Sequence, residues 1–386
     1  MKGKKFFLVL SAMALATGCS NDETIEMNGE DRIDFSVTAG KLTRATATTT
    51  STIDTFKVWA ITDNKTYMDG ITVNKTDGKW TYSGTKFWPE TVVDFFAVSP
   101  ATPQSGTVTV NTTDRKIESY VANGKEDLLY AMNAAETKDG HKNAPVSVNF
   151  RHALSQIVFK VKNTNNSIKV EVKGIKVEGV ADTSTLTWAT ATTGPNMPET
   201  ETNADTETGN TWGTWGIRRG NATYIAVNLN NACTVDNTAE YLTSDEGNGA
   251  LFLMPQTLNP WLTTDATDNT VKITGTARLL VNCKITDTAS GITLWPESGD
   301  YGEVAISLSN PNNDPHKGNG NTHDRWMQGK KYIYTLIFGE GGGYDPTPDP
   351  DDPDKPEPVL VPITFTVSVD NFQNGGEYDL TANNPK

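Results

Sequence analysis

Residues 154–177 read LSQIVFKVKNTNNSIKVEVKGIKV. Ile157, Phe159 and Val161 alternate with Val158, Lys160 and Lys162, the period of two that belongs to an extended chain and not to a helix of 3.6 residues per turn. Ile168, Val170 and Val172 repeat the pattern. Gly174 then shifts the phase, so that Ile175 and Val177 carry the apolar row onward; an extra residue in one strand does this, and a β-bulge is expected at Lys173-Gly174. Further strand-like runs follow at Tyr224 to Leu229, Leu251 to Met254, Val271 to Ile285, Glu303 to Leu308 and Lys331 to Phe338.

Toward the N-terminus the same grammar continues. Phe56 to Ile61, Ile71 to Val73, Trp80 to Tyr82, Val92 to Val98, Thr107 to Val110, Asp127 to Met132 and Val146 to Phe150 are short strand candidates. Turn dipeptides separate them: Asp69-Gly70, Asp77-Gly78, Ser83-Gly84, Asn123-Gly124 and Asp139-Gly140. Seven short strands in about a hundred residues is the count of one β-sandwich. The expected architecture is all-β: an N-terminal sandwich over 45–148 and a C-terminal one over 149–340. Thr190 to Gly220, rich in Thr, Gly and Pro and containing Trp212 and Trp215, is expected to be a long surface loop.

Composition narrows the function classes. The 386 residues include 33 Lys+Arg against 47 Asp+Glu, a net charge of −14, and a nucleic-acid partner needs the opposite balance to displace counterions. Three cysteines and four histidines leave little material for metal or thiol chemistry. No Gly-x-Ser-x-Gly elbow, phosphate-cradling glycine loop or Cys/His nucleophile pair occurs, so no enzyme and no cofactor are expected.

The first five residues carry three lysines, and the apolar run Phe6 to Ala16 is eleven residues long, too short to cross a bilayer core of about 30 Å. It reads as a signal peptide over 1–18. Thr17-Gly18-Cys19 follows and resembles the lipobox of bacterial lipoproteins, in which Cys19 becomes the acylated N-terminus. An ordinary secretory peptide cut at a nearby alanine is the alternative. Residues 20 to 55 are polar, and TRATATTTST at 43–52 cannot bury a core, so an exposed leader is expected.

At the other end, GGGYDPTPDPDDPDKPEP at 341–358 is read as a linker. Its prolines favour a polyproline II path that could reach roughly 50 Å. Beyond it, within 359–386, Ile363, Phe365, Val367 and Val369 alternate with Thr364, Thr366, Ser368 and Asp370. One strand is not stable alone. It either returns to its own domain or completes a sheet in another molecule by strand addition.

Several segments together resemble the fimbrillin family, the subunits of type V pili. They are the lipobox cysteine; Leu42-Thr43-Arg44-Ala45; Phe87-Trp88-Pro89 followed by Asp94-Phe95-Phe96-Ala97-Val98-Ser99-Pro100; Phe150-Arg151-His152-Ala153-Leu154-Ser155; Leu253-Met254-Pro255-Gln256; and Trp326-Met327-Gln328-Gly329-Lys330-Lys331-Tyr332-Ile333-Tyr334. The resemblance implies two transthyretin-like β-sandwiches in an outer-membrane lipoprotein precursor, with palmitate-type acyl chains on Cys19. It implies a leader over 19–44 that a trypsin-like, Arg-specific protease removes between Arg44 and Ala45, taking the first strand with it. The vacated groove then accepts a strand from another pilus subunit, and Ile363 to Val369 correspond to the donor, giving a cell-surface fimbria that serves adhesion. The alternative is a monomeric surface lipoprotein that binds glycan or host protein through its loops.

Other candidates carry less. His316 and His323-Asp324 match no tight zinc spacing and are read as a solvated loop. His152, at the entry to an apolar strand, is read as a structural histidine. The acidic residues Asp345 to Asp354 lack the spaced ligands of a calcium loop and are read as a spacer. Cys233 and Cys283, in an exported chain, could form a disulfide; Cys283 alternating with Val281 and Ile285 equally fits a buried thiol. Trp212 and Trp215 are the tryptophans that could stack on a sugar.

Overall fold

The computed structural model describes residues 31–39, 53–104, 108–142, 144–188, 213–242, 249–264, 270–309, 324–339, 343–347, 350–359 and 363–371. Among the described residues strand is the dominant element, with one three-residue 3-10 turn at Asp139–His141. In the N-terminal half the strands are β1 (Phe35–Ala39), β2 (Thr55–Thr62), β3 (Lys65–Thr76), β4 (Lys79–Tyr82), β5 (Val93–Ser99), β6 (Thr109–Asn111), β7 (Lys116–Val121), β8 (Leu129–Glu136) and β9 (Val146–His152). Seven of them form one sheet in the order β1-β9-β8-β5-β2-β3-β4.

The central strands of that sheet are apolar on both faces, which is why DFFAVS in β5 is a nearly unbroken hydrophobic run. Phe56 and Val58 of β2, Phe95 and Ala97 of β5, and Leu129 and Ala131 of β8 fill one core. Their neighbours Trp59, Phe96, Val98, Tyr130 and Met132 point the other way into a second core. The sheet curls, so its two ends meet: Phe35 of β1 lies edge-on to Tyr82 of β4, with ring centroids 5.8 Å apart.

The second core is roofed by a four-stranded sheet, β13-β12-β7-β6, in which β12 (Thr183–Thr187) and β13 (Thr214–Trp215) come from the far side of residue 148. The chain therefore crosses from the C-terminal half back to the N-terminal sheet. Trp215 is buried there, its indole N–H donating to the Ala153 carbonyl at 2.7 Å, so it is packing material and not a surface loop residue. Trp212 lies outside the described residues.

The remaining strands are β10 (Ser155–Asn163), β11 (Ile168–Val180), β14 (Ala222–Thr234), β15 (Glu240–Tyr241), β16 (Leu251–Leu253), β17 (Gln256–Thr257), β18 (Leu262–Thr264), β19 (Val271–Ile273), β20 (Arg278–Asp287), β21 (Thr293–Trp295), β22 (Gly302–Ser307), β23 (Arg325–Trp326), β24 (Lys330–Phe338), β25 (Gly343–Tyr344), β26 (Pro358–Val359) and β27 (Ile363–Asn371). Two sheets face each other across one apolar core: β15-β10-β24-β27, with β16 added to β10, and β14-β11-β20-β22-β25-β26, with β21 added to β20. The expected bulge is present, since the register of β11 shifts between Val172 and Gly174 against both neighbours. The run expected from Val271 to Ile285 is instead two strands, β19 and β20.

The proline-rich segment is not the extended spacer expected from its composition. Gly343 and Tyr344 pair with Val359 and Pro358, which closes the segment between them into a loop on its own domain. Tyr344 packs edge-on to Trp261 at 6.2 Å, Arg278 donates to the Pro346 carbonyl at 2.8 Å, and the Ile273 N–H donates to the Asp354 carbonyl at 2.7 Å. An aromatic anchor and a few main-chain bonds outweigh the local preference for an open polyproline path.

Candidate functional site

The two candidate assembly elements are the first and the last strand, and each sits at the end of a sheet. Segment 31–39, expected to be exposed leader, is instead built into the N-terminal core. Ile33 and Phe35 are at most 1% exposed. The polar average of residues 20–55 hides them, because only alternate positions face inward. Phe35 is ringed by Phe56, Tyr82 and Phe95 at centroid distances of 6.0, 5.8 and 5.7 Å. Each buried side chain of this size contributes about 1.5–3 kcal/mol.

The main chain of this segment is gripped on two sides. β1 runs parallel to β9 in the register Phe35 with Val146, Val37 with Val148 and Ala39 with Phe150. Just before it, the Ile33 N–H donates to the Lys86 carbonyl at 2.9 Å and the Trp88 N–H donates to the Asp31 carbonyl at 2.8 Å. Tyr82 donates its hydroxyl proton to the Ile33 carbonyl at 2.6 Å. The segment thus fills a slot between β9 and residues 86–88. Its one charged inward-lying group, Asp34, is paired with Arg32 at 2.9 Å, and burial raises its carboxyl above the usual range.

Segment 40–52, which joins β1 to the body of the domain and carries Arg44 and Ala45, lies outside the described residues, as does Cys19. What the topology fixes is order: β1 precedes Arg44, and β2 to β9 all follow it.

The last strand is seated on its own domain. β27 pairs antiparallel with β24 over nine residues, from Ile363 opposite Phe338 to Asn371 opposite Lys330, with Phe365 opposite Leu336, Val367 opposite Tyr334 and Val369 opposite Tyr332. Ile363 and Val367 are buried in the core that also holds Tyr332, Tyr334, Leu336 and Phe338. Of the two destinations open to this strand, the chain adopts the local one. β27 is the end strand of its sheet.

Cys233 and Cys283 do not bridge. Both lie opposite Val172, one on β14 and one on β20, with β11 between them. Two strand spacings separate their Cα atoms by about 9.5 Å, beyond the roughly 7 Å that a disulfide spans. Both are free thiols, and burial pushes Cys283 up to about 12. His152 is buried, with Nδ1 2.5 Å from Asp127 Oδ2, a structural pair inside the β8–β9 corner. His316 and His323 lie outside the described residues, and Asp324 is engaged by Arg325 at 2.7 Å. The geometry is that of packing and strand pairing.

Residues 43–349 match the model of the Fimbrillin-like family. Among solved structures the chain is similar to a fimbrial protein from Bacteroides vulgatus ATCC 8482, with 16% identity, 89% of this chain and 99% of that chain covered, and a TM-score of 0.49. It is also similar to the fimbrial anchor protein Mfa2 from Porphyromonas gingivalis, with 10% identity, 87% and 98% covered, and a TM-score of 0.32. No curated protein matches the sequence. Because the family model spans well over half of its length, this chain belongs to the fimbrillin-like family.

Proposed function

We propose that this chain is a pilin precursor, a structural subunit of a cell-surface fimbria that serves adhesion. It is exported, acylated on Cys19 and held in the outer membrane. A trypsin-like, Arg-specific protease then cuts between Arg44 and Ala45, the leader leaves, and the C-terminal strand of another pilus subunit takes its place.

The observation that carries this reading is the position of β1. It contributes Ile33 and Phe35 to a finished core, yet every residue of it lies upstream of Arg44. A cut there leaves a folded domain with one strand held only by noncovalent contacts. Once that strand departs, the main-chain groups of β9 that paired with it lose their partners, and such an edge is a template for strand addition. A multiply acylated cysteine is a stable membrane anchor, because each buried methylene contributes about 0.8 kcal/mol, and the same cut would sever it.

Purified precursor treated with an Arg-specific protease should form ladders that survive SDS without boiling. Arg44→Ala should abolish them, and deletion of residues 359–386 should leave cleavage intact while stopping growth. Ladders from the Arg44→Ala protein would overturn the leader mechanism. A second reading, a surface lipoprotein that stays monomeric and binds through its loops, draws on the nine-residue pairing of β27 with its own β24. Complete cleavage that yields monomers alone would favour it.

A further inference from the structure

Thr223, Glu178 and Arg278 stand side by side on three neighbouring strands. The register places Glu178 of β11 opposite Thr223 of β14 on one side and opposite Arg278 of β20 on the other. Val177, Tyr224 and Leu279, one residue along each strand, are buried in the sandwich core, so alternation turns the Thr223-Glu178-Arg278 row to the outer face. Trp261, just ahead of β18, lies on that same face against Leu280 and Ala305. Between the row, Trp261 and the Gly275-Thr276 segment is a cavity of about 270 Å³, whose lining Asn221 completes.

The walls of the cavity are tied in place. Thr276 Oγ1 donates to the Gly179 carbonyl at 2.8 Å, and the Thr274 N–H donates to the Trp261 carbonyl at 2.9 Å. The Arg278 guanidinium sits over the Trp261 ring, 5.2 Å from its centroid. Its polar groups, by contrast, are only partly used. Arg278 donates from Nε to Glu178 Oε2 at 3.0 Å and from Nη1 to the Pro346 carbonyl at 2.8 Å, and its Nη2 lies 3.0 Å from the same Oε2. These contacts leave at least two of the five guanidinium N–H groups, and Glu178 Oε1, unspent. The side chains of Asn221 and Thr223 make no hydrogen bond to the described residues.

From this arrangement we infer that the cavity is a saccharide site that takes one neutral pyranose ring. Charge decides against ions: Glu178 is already matched by Arg278, so an anion would meet the carboxylate and a cation the guanidinium, whereas a hydroxyl both donates and accepts. One sugar hydroxyl can donate to Glu178 Oε1 while accepting from an Arg278 N–H, and its neighbour on the ring can exchange hydrogen bonds with Asn221 and Thr223. The volume lies just below the range of about 300–1,000 Å³ for drug-sized ligands, which is room for one ring and not for a chain. Trp261 is 3% exposed, so it supplies an edge and no stacking face. Affinity then rests on hydrogen bonds made in competition with water, and the dissociation constant should be on the order of millimolar. The inference rests on the adhesion part of the reading above, to which it gives a ligand class. Repetition of the site along a fimbria would raise the effective affinity by about 10²–10⁴-fold without any new contact.

Ligand-observed saturation-transfer NMR on the uncut full chain tests the site, with D-glucose, D-galactose, D-mannose, L-fucose and N-acetylglucosamine as neutral probes and glucuronate and glucosamine as charged ones. At least one neutral sugar should bind. The chain carrying both Asn221→Ala and Thr223→Val should bind it about tenfold more weakly, since two hydrogen bonds are lost. Asn228→Ala, at an exposed position farther along β14, should change nothing. Asn221 and Thr223 are themselves exposed, so the urea midpoint of the double variant should match the wild type and show that the fold is kept. No transfer to any neutral sugar, transfer that the double variant leaves unchanged, or transfer to charged sugars alone would overturn the inference. Ladders separate that failure from a failure of the pilin reading: ladders that grow while no sugar binds leave the pilin standing, and specific sugar binding by a cleaved chain that never forms ladders keeps the site and removes the assembly.

Discussion

Phe35→Ala should loosen the leader strand of the precursor while leaving the processed chain chemically unchanged. Phe35 is fully buried and makes three edge-to-face ring contacts, each worth about 0.5–1.5 kcal/mol beyond area burial. A buried Phe→Ala change costs about 3–5 kcal/mol in total. At 1.4 kcal/mol per decade, the cut but still bound leader should dissociate some hundred- to several-thousand-fold more readily than the wild type. Size exclusion followed by mass spectrometry after cleavage reads this directly, as the fraction of leader peptide that co-elutes with the domain. Urea unfolding of the uncut chain, followed through the N-terminal domain, gives the equilibrium cost. Once the leader has gone the two proteins have the same sequence, which supplies an internal control. If the uncut variant unfolds within about 1 kcal/mol of the wild type and retains its leader equally well, β1 is not part of the core and the reasoning fails.

Other expectations follow from single contacts. Ile363→Ala should destabilise the C-terminal sandwich by about 2–5 kcal/mol, since Ile363 is buried against β24, and urea denaturation of the uncut chain checks it. Gly179→Ala should cost about 2 kcal/mol or more, because φ is +75° and an added Cβ would lie 1.8 Å from the Thr276 carbonyl oxygen. Gly78→Ala, at φ +77° with open space around it, should cost only the backbone penalty of about 1–2 kcal/mol. Cys233 should react with iodoacetamide in the native chain and Cys283 only after unfolding, with no change in unfolding midpoint on adding reductant. Burial raises the Asp34 carboxyl above its unfolded value, so its contribution to leader retention is fully present below the unfolded pKa and is lost as pH rises through the folded one. Leader retention should therefore weaken from acid toward neutral pH, and Asp34→Asn should flatten that dependence.

The strands that alternate cleanly were legible in the sequence, and so was the bulge at Gly174, because a period of two leaves few other readings. β1 was not legible as structure. Its Ile33 and Phe35 sit in a stretch whose average is polar, so a reading by composition passes over them. β12 and β13 were misplaced for a different reason: nothing in Thr183–Thr187 or Thr214–Trp215 says that the pair returns to the sheet of β6 and β7 rather than staying with its sequence neighbours. Tertiary packing makes that choice, through Leu186 and Trp215 filling the core beneath Phe96 and Tyr130. The thiols could not be assigned from spacing, since the outcome depends on β11 lying between the strands that bear them. The proline-rich segment illustrates the same limit, because one Tyr344–Trp261 contact is invisible to composition.

Native-state hydrogen exchange across Val146–Phe150 asks whether the leader strand is a removable part of a finished sheet. These amides should be protected in the uncut precursor, exchange rapidly after cleavage and release of the leader, and regain protection in assembled ladders. Equal protection in all three states would mean that β9 never loses its neighbour, and the account of assembly by strand replacement would be wrong.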